Sequence, residues 1–344
     1  MSRTAADFDE ANDVPLAVLG SGSWGTALAI HFARTGKPTR LWARDPAHGD
    51  AMRAARRNER YLPAAAFPER LDVGSDLRAT LEGVTDVLLA VPSHAFRALL
   101  LQLAPLLKPG MRVAWATKGF ERGTGLLPHQ VAREVLGQGL SVAVLSGPTF
   151  ATEVGEGLPT AMTVASPDPE FAEALVQDLS SSSFRAYLST DIVGVEIGGA
   201  VKNVLAVGAG LSDGLGFGAN TRVALITRGL NEMTRLGVAL GARRDTFMGL
   251  AGLGDLVLTC TDNQSRNRRF GLLLAAGRSP EDAQAEIGQV VEGYKAAKEL
   301  RDVARRAGIE LPICEGICRI LFDGANATSV VRAMMRRPQR AEFE

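Results

Sequence analysis

Two lysines stand in apolar surroundings that lysine rarely enters without a task. Lys202 lies in Glu196-Ile-Gly-Gly-Ala-Val-Lys202-Asn203, and Lys118 in Ala-Thr-Lys118-Gly at the end of an apolar run. Burial and a neighbouring cation both disfavour an ammonium, so such an amine moves toward neutral pKa and can give and take protons. Gly198 and Gly199 would leave room for a ligand, and Gly199 stands three residues before Lys202, on the same helical face. The plainer reading of each lysine is a stem lying on apolar neighbours with its head in water.

A second constellation runs from Asp255 to Ser265-Arg266-Asn267. The planar fork of Arg266, with Ser265 and Asn267 as neutral donors, suits a phosphomonoester dianion. The competing reading is a solvated basic loop. A third constellation is Gly20-Ser-Gly22-Ser23-Trp24-Gly25, placed directly between an apolar β-type run and an Ala/Leu-rich helical one. That context makes it a dinucleotide cradle: the first glycine for a tight turn, the second for approach of a pyrophosphate, the third for helix–strand packing. Nineteen residues past Gly25, where an acid would hold a ribose hydroxyl, stands Arg44, followed by Asp45. A guanidinium there pairs with a 2′-phosphate, so NADPH is expected to be accepted, while Asp45 keeps NADH open.

Other reactive side chains attract weaker readings. His94 reads as a structural histidine at a helix start, and Cys314 and Cys318, one turn apart, as core residues. Cys260 raises the minor alternative of a thiolate that traps an aldehyde in a four-electron oxidation. Four histidines, all within the first 129 residues, and three cysteines make no metal spacing and no disulfide framework.

The elements that must position these groups follow from the pattern. From 14 to 190, short β-rich runs alternate with helical ones: 14–19, 39–43, 85–91, 112–116, 142–145, 161–165 and 184–188 read as strands, and 26–35 as a helix. Such alternation predicts a parallel sheet covered by helices, an α/β, Rossmann-like dinucleotide-binding domain. After 190 the β-branched runs give way to Ala, Leu, Arg, Glu and Gly at helical period, so 191–338 is predicted to be an all-helical substrate-binding domain. Residues 1–13 read as a disordered tail and 339–344 as a frayed one. Residues 192–211 contain Glu196, Lys202, Asn203 and five glycines, a buried helix and no membrane span.

Thirty-eight basic and 38 acidic residues balance in a 344-residue chain. With no long-range field, nucleic acid and anionic membrane are excluded as expected partners, and the ligand is expected to be small and met by local cations. Cysteine usage and an acidic N-terminus without an apolar run point to the cytoplasm. A homodimer is the default expectation.

The chain resembles the bacterial-type NAD(P)-dependent sn-glycerol-3-phosphate dehydrogenases from Gly20 to about Leu321. The resemblance runs through GSGSWGTALA, NERYLP, VPSH, ATKGF, SGPTFATEV, GGAVKNVLAVGAGL, NTRVALITRGLNEM, LAGLGDLVLTCTDNQSRNRRFG and VVEGY. It implies reversible reduction of dihydroxyacetone phosphate to sn-glycerol 3-phosphate by NAD(P)H, for glycerophospholipid synthesis. Lys202 matches the proton carrier, and Lys118 a residue that touches cofactor and substrate and polarises the carbonyl. By the same match Gly147, Thr149, Asp255, Ser265, Arg266 and Asn267 hold substrate, while Ser23, Trp24, Arg44, Tyr61, Ala151, Arg266, Val290 and Glu292 line the cofactor site. One departure is Phe150-Ala151-Thr152-Glu153, where the family commonly carries Lys or Arg in place of Thr152; altered cofactor or loop contacts are expected there. The alternatives are a related 3-hydroxyacid or 6-phosphogluconate-type dehydrogenase, whose carboxylate substrate Arg266 would equally suit, and a non-catalytic NADPH-sensing protein.

Overall fold

The computed structural model describes residues 14–336, so the tails expected at 1–13 and 339–344 lie outside the described residues. The chain divides into two compact units. One runs through Glu121 and resumes over Leu126–Glu196; the other comprises Arg122–Gly125 and the chain from Ile197 onward.

In the first unit β1 (Leu16–Leu19) leads into α1 (Ser23–Arg34), β2 (Thr39–Trp42), α2 (Pro46–Ala55), β3 (Arg57–Asn58), β4 (Leu62–Ala66), β5 (Leu71–Gly74) and α3 (Leu77–Thr80). There follow β6 (Asp86–Leu89), α4 (Ser93–Leu103), β7 (Arg112–Trp115), α5 (Pro128–Leu136), β8 (Val142–Ser146), α6 (Ala151–Glu156), β9 (Thr160–Ala165), α7 (Pro169–Leu179) and β10 (Phe184–Ser189). Eight of the strands form one sheet in the order β10-β9-β8-β7-β6-β1-β2-β5, and β3 pairs with β4 in a separate hairpin. β1 and β6 are buried at every position because helices cover both faces, which is why β1 and the Val87–Leu89 part of β6 read as unbroken apolar runs. The core lies between sheet and helices, with Phe32 of α1, Phe171 of α7 and Leu41 of β2 fully closed off.

The sheet is not wholly parallel, which corrects the expectation. From β5 across to β8 all neighbours run parallel, but β9 runs antiparallel to β8, pairing Val144 with Ala165 and Ser146 with Thr163. The cause is the connection. The six-residue α6 within it rises only about 9 Å, about half the length of a strand of about 17 Å, and β9 sets off beside the end of β8 and returns. Strand β5 and the β3/β4 hairpin also escaped the sequence pattern: β5 is only Leu-Asp-Val-Gly, β3 two residues, and β4 Leu-Pro-Ala-Ala-Ala.

The second unit is built of α8 (Ile192–Gly214), α9 (Gly218–Ala239), α10 (Asp255–Thr261), α11 (Arg266–Ala275), α12 (Pro280–Ile287), α13 (Glu292–Arg306), α14 (Pro312–Phe322) and α15 (Ala327–Met335). Among the described residues it contains no strand. The division between the units falls inside α8, past the composition change at 190, because Glu196 bonds back to the first unit: it accepts from Trp115 Nε1 at 2.8 Å and from the His129 backbone N–H at 2.9 Å. α8 has the length and mean hydropathy, 1.5, of a membrane span, yet 94% of that window is buried inside the structure, so it is a core helix.

Glycines let other chain segments approach α8 closely. A Cβ on Gly210 would meet the Arg268 carbonyl oxygen at 2.0 Å, and one on Gly271 of α11 would meet that of Val207 at 2.1 Å. A Cβ on Gly198 would meet the Ala251 carbonyl at 2.2 Å, so the space expected there for a ligand is taken by protein backbone.

Candidate active site

In the first unit, the parallel strands β1, β2, β6, β7 and β8 present their carboxyl ends along one edge, the side on which open α/β sheets bind ligands. The glycine loop leaves β1 there. Gly20 adopts φ +123°, and a Cβ on it would meet the Ala90 carbonyl at 2.6 Å; a Cβ on Gly25 would meet the Gly20 carbonyl at 1.9 Å. Around Gly22 a Cβ would meet nothing within 4 Å, so this position alone of the three faces open space that a side chain would fill. Gly22 is the N-cap of α1 and brings no side-chain acceptor to the first turn, leaving N–H groups and the positive helix end for an anion. Beside it, the buried indole Nε1 of Trp24 has no hydrogen-bond partner, a donor suited to a polar ligand. These features fit a dinucleotide pyrophosphate.

Arg44 follows β2 and is exposed. Asp45 is the N-cap of α2, its carboxylate accepting from Ala47 N–H at 3.1 Å, which gives it a structural duty besides any ribose contact. Tyr61 is half-buried and stands edge-on to His48, with ring centroids 5.6 Å apart. Ala151, at the start of α6, packs against the sheet core, and Thr152 next to it is exposed. Lys118 lies three residues beyond β7, half-buried, next to Thr117, whose hydroxyl donates to the Val91 carbonyl at 2.8 Å. Gly147 follows β8 with its Cβ side against Met162 Cα at 2.8 Å, and half-buried Thr149 donates to its carbonyl at 3.2 Å.

In the second unit, Lys202 of α8 is 7% exposed and Asp255, at the start of α10, is 1% exposed. The Lys202 ammonium donates to Asp255 Oδ1 and, at 3.0 Å, to Thr259 Oγ1. Thr259 is one turn after Asp255 and also bonds the Asp255 carbonyl at 2.6 Å. A single π turn, Leu250–Gly254, delivers Asp255 to this position, and its Gly252 lies so close to Phe247 that a Cβ would meet the carbonyl at 2.3 Å. Wide turns of this kind recur at functional sites. The sequence expectation placed a cation beside Lys202; the charge in direct contact is the Asp255 carboxylate, which stabilises the ammonium form.

At the N-terminus of α11, the Ser265 side chain caps the helix by accepting from Arg268 N–H at 3.2 Å, and its hydroxyl hydrogen remains a donor. Arg266 is half-buried; desolvation lowers its pKa from the usual guanidinium range while the Glu292 charge opposes, and it remains a cation. Its guanidinium also reaches Gln289 Oε1 at 3.2 Å. Asn267 is occupied largely by protein: Nδ2 donates to Asn203 Oδ1 at 2.9 Å and Oδ1 accepts from Gly293 N–H at 2.8 Å. Asn203 of Lys202's helix, Asn267 at the N-terminus of α11 and Gly293 at the start of α13 are thereby tied together; Glu292 opens α13 and half-buried Val290 lies just before it.

Family models for the NAD-dependent glycerol-3-phosphate dehydrogenase N-terminus and C-terminus match residues 15–172 and 191–332. The chain belongs to the NAD-dependent glycerol-3-phosphate dehydrogenase family. It is 55% identical to glycerol-3-phosphate dehydrogenase [NAD(P)+] of Aeromonas salmonicida, over 96% of this chain and 100% of the relative. It is 56% identical to the enzyme of the same name from Edwardsiella ictaluri, over 95% and 97%. The crystal structure of glycerol-3-phosphate dehydrogenase from Coxiella burnetii superposes with a TM-score of 0.91 at 48% identity, covering 94% of this chain and 99% of that one.

Membership of the glycerol-3-phosphate dehydrogenase family makes the chain an NAD(P)-dependent enzyme, so the sensor reading falls, as does the hydroxyacid alternative. The thiolate alternative falls on geometry: Cys260 is fully buried and desolvation pushes its thiol up to about 12, so it is protonated at neutral pH. Cys314 and Cys318 are buried as expected, and His94 is an exposed residue of the first turn of α4. Sequence reasoning missed Thr259 and Asn58. The i, i+4 spacing from Asp255 was a usable signal for Thr259; Asn58 opens the NERYLP segment that carries part of the resemblance, but nothing beside it in the chain marks Ser21 as its partner.

Proposed function

We propose that the protein reduces dihydroxyacetone phosphate to sn-glycerol 3-phosphate, reversibly, with NADPH or NADH. In the proposed division of labour, residues 14–190 supply most of the dinucleotide contacts, and 191–338 supply the proton carrier and the phosphate-binding groups. The bound nicotinamide supplies or accepts the hydride. Gly20, Gly22 and Gly25, with the open N–H groups of Ser23 and Trp24, hold the pyrophosphate; Arg44 meets the adenosine ribose or its 2′-phosphate; Tyr61, Ala151, Val290 and Glu292 complete the cofactor contacts.

Lys202 carries the proton. In reduction its ammonium donates to the carbonyl oxygen; in oxidation the neutral amine takes the hydroxyl proton. Asp255 and Thr259 hold the Nζ and keep it charged for donation. Lys118 polarises the carbonyl, and Ser265, Arg266 and the N-terminus of α11 bind the phosphate, with Gly147, Thr149 and Asn267 shaping the rest. The buried Lys202–Asp255–Thr259 cluster carries this reading: an ammonium taken out of water and held in place by a carboxylate and a hydroxyl is a positioned proton donor. Glycerophospholipid synthesis as the destination of the product, a homodimeric state and a cytoplasmic site are parts of the same proposal.

The test follows NADPH consumption with dihydroxyacetone phosphate. Wild type turns over, and Lys202→Met retains NADPH binding while kcat drops by about two to four orders of magnitude, the contribution of a positioned general acid. No consumption by the wild type, or full turnover by Lys202→Met, refutes the assignment.

A further inference from the structure

Asn58 is fully buried in β3, 37 residues from the loop it touches. Its Nδ2 donates to the Ser21 carbonyl at 2.9 Å and to Thr26 Oγ1 at 2.8 Å, and its Oδ1 accepts from the Tyr61 backbone N–H at 3.1 Å. Both amide hydrogens and the carbonyl are thus committed. The orientation of the amide is unambiguous, because the flipped form would set oxygen against the Ser21 carbonyl and NH2 against the Tyr61 N–H.

Each partner belongs to the cofactor cradle. Ser21 lies between Gly20 and Gly22; Thr26 lies in the first turn of α1, where its own N–H bonds the Gly22 carbonyl at 3.0 Å; Tyr61 is a proposed cofactor contact. In a trans peptide the C=O and the following N–H point in opposite directions. Holding the Ser21 carbonyl toward Asn58 therefore aims the Gly22 N–H away from it. The same bond removes a partial negative charge from the set of groups free to face an anion.

We propose that Asn58 is a positioning residue for the dinucleotide: it presets the glycine loop for pyrophosphate and, through Tyr61, ties that loop to a second wall of the site. The inference rests on the reading of Gly20–Gly25 as the pyrophosphate cradle. Since the pyrophosphate is common to NADPH and NADH, loss of Asn58 must weaken both by the same factor, unlike a change at Arg44.

The experiment measures Kd for NADPH and NADH by fluorescence titration, with kcat and the dihydroxyacetone phosphate KM at saturating cofactor. Asn58→Asp keeps the shape but sets a carboxylate against the Ser21 carbonyl. Both Kd values are expected to rise about tenfold or more, the scale of a buried polar group left unsatisfied, in equal ratio, with kcat and substrate KM within about twofold of wild type. Thr26→Val, which strands one amide hydrogen with little change of shape, is expected to raise both Kd values in parallel by a smaller factor. It decides the question alone if Asn58→Asp does not fold. Unchanged Kd values, a change confined to one cofactor, or a loss in kcat at saturating cofactor overturns the proposal. Gly22→Ala separates the two levels: if filling the open space at Gly22 leaves cofactor binding intact, the cradle reading itself fails; if it blocks binding while the Asn58 and Thr26 variants bind normally, only the role of Asn58 fails.

Discussion

Replacing Asp255 by Asn removes the charge facing Lys202 while keeping the shape of the side chain. An ammonium–carboxylate contact at about 2.8 Å with an effective dielectric of about 20 attracts by about 6 kcal/mol. Both groups are desolvated, Lys202 at 7% and Asp255 at 1% exposure, so part of that attraction only offsets the loss of hydration. The net cost of stranding the lysine is about 3–5 kcal/mol. Removing both charges at once, in Lys202→Met/Asp255→Asn, leaves no buried ion, and most of the lost stability is expected to return. A urea-unfolding double-mutant cycle at pH 7 reads the difference as a coupling of about 2 kcal/mol or more. In turnover, Asp255→Asn should lower kcat with dihydroxyacetone phosphate by at least about tenfold and leave the NADPH Kd unchanged, since Asp255 acts through Lys202. Additive stabilities in the cycle, or a wild-type kcat in Asp255→Asn, would refute the picture of a charge pair holding the proton donor.

Arg44→Ala is expected to raise the NADPH KM several-fold more than the NADH KM; an unchanged ratio removes Arg44 from 2′-phosphate recognition. Cys260→Ser is expected to retain turnover within a few-fold, because the buried thiol, pushed up to about 12, supplies no thiolate at neutral pH; total loss in a folded variant contradicts this. His31 of α1 lies 2.6 Å from the Leu179 carbonyl at the end of α7, and burial lowers its pKa below the usual 6.5. A depressed histidine contributes stability that is full above the unfolded value and is lost as pH falls through the folded one. Urea-unfolding free energy should therefore drop on acidification below about 6.5, and His31→Gln should flatten that slope; an identical slope in the variant assigns it elsewhere.

The strands legible in the sequence were those buried on both faces, β1, β6 and β7 above all, because continuous apolar runs bounded by Gly, Pro or charge have few other destinies. The return of β9 was not legible: parallel and antiparallel strands look alike in pattern, and the packing of the segment between them selects which one forms. The role of Gly198 was misread for a related reason. Glycine reports that something comes close, not whether it is a ligand or, as here, the Ala251 carbonyl.

The local chemistry of this protein was determined by its sequence: the glycine turn after β1, the arginine after β2, the lysine in an apolar helix and the cap at the start of α11 all arise within a few residues and follow from backbone sterics and helix polarity. Tertiary structure alone decided the partners. Lys202 meets Asp255 across 53 residues, and Asn58 meets the Ser21 carbonyl across 37. Such distant pairs leave no periodicity along the chain; they form because burial forbids an unpaired charge or amide, and the folded packing is what selects the group that satisfies it.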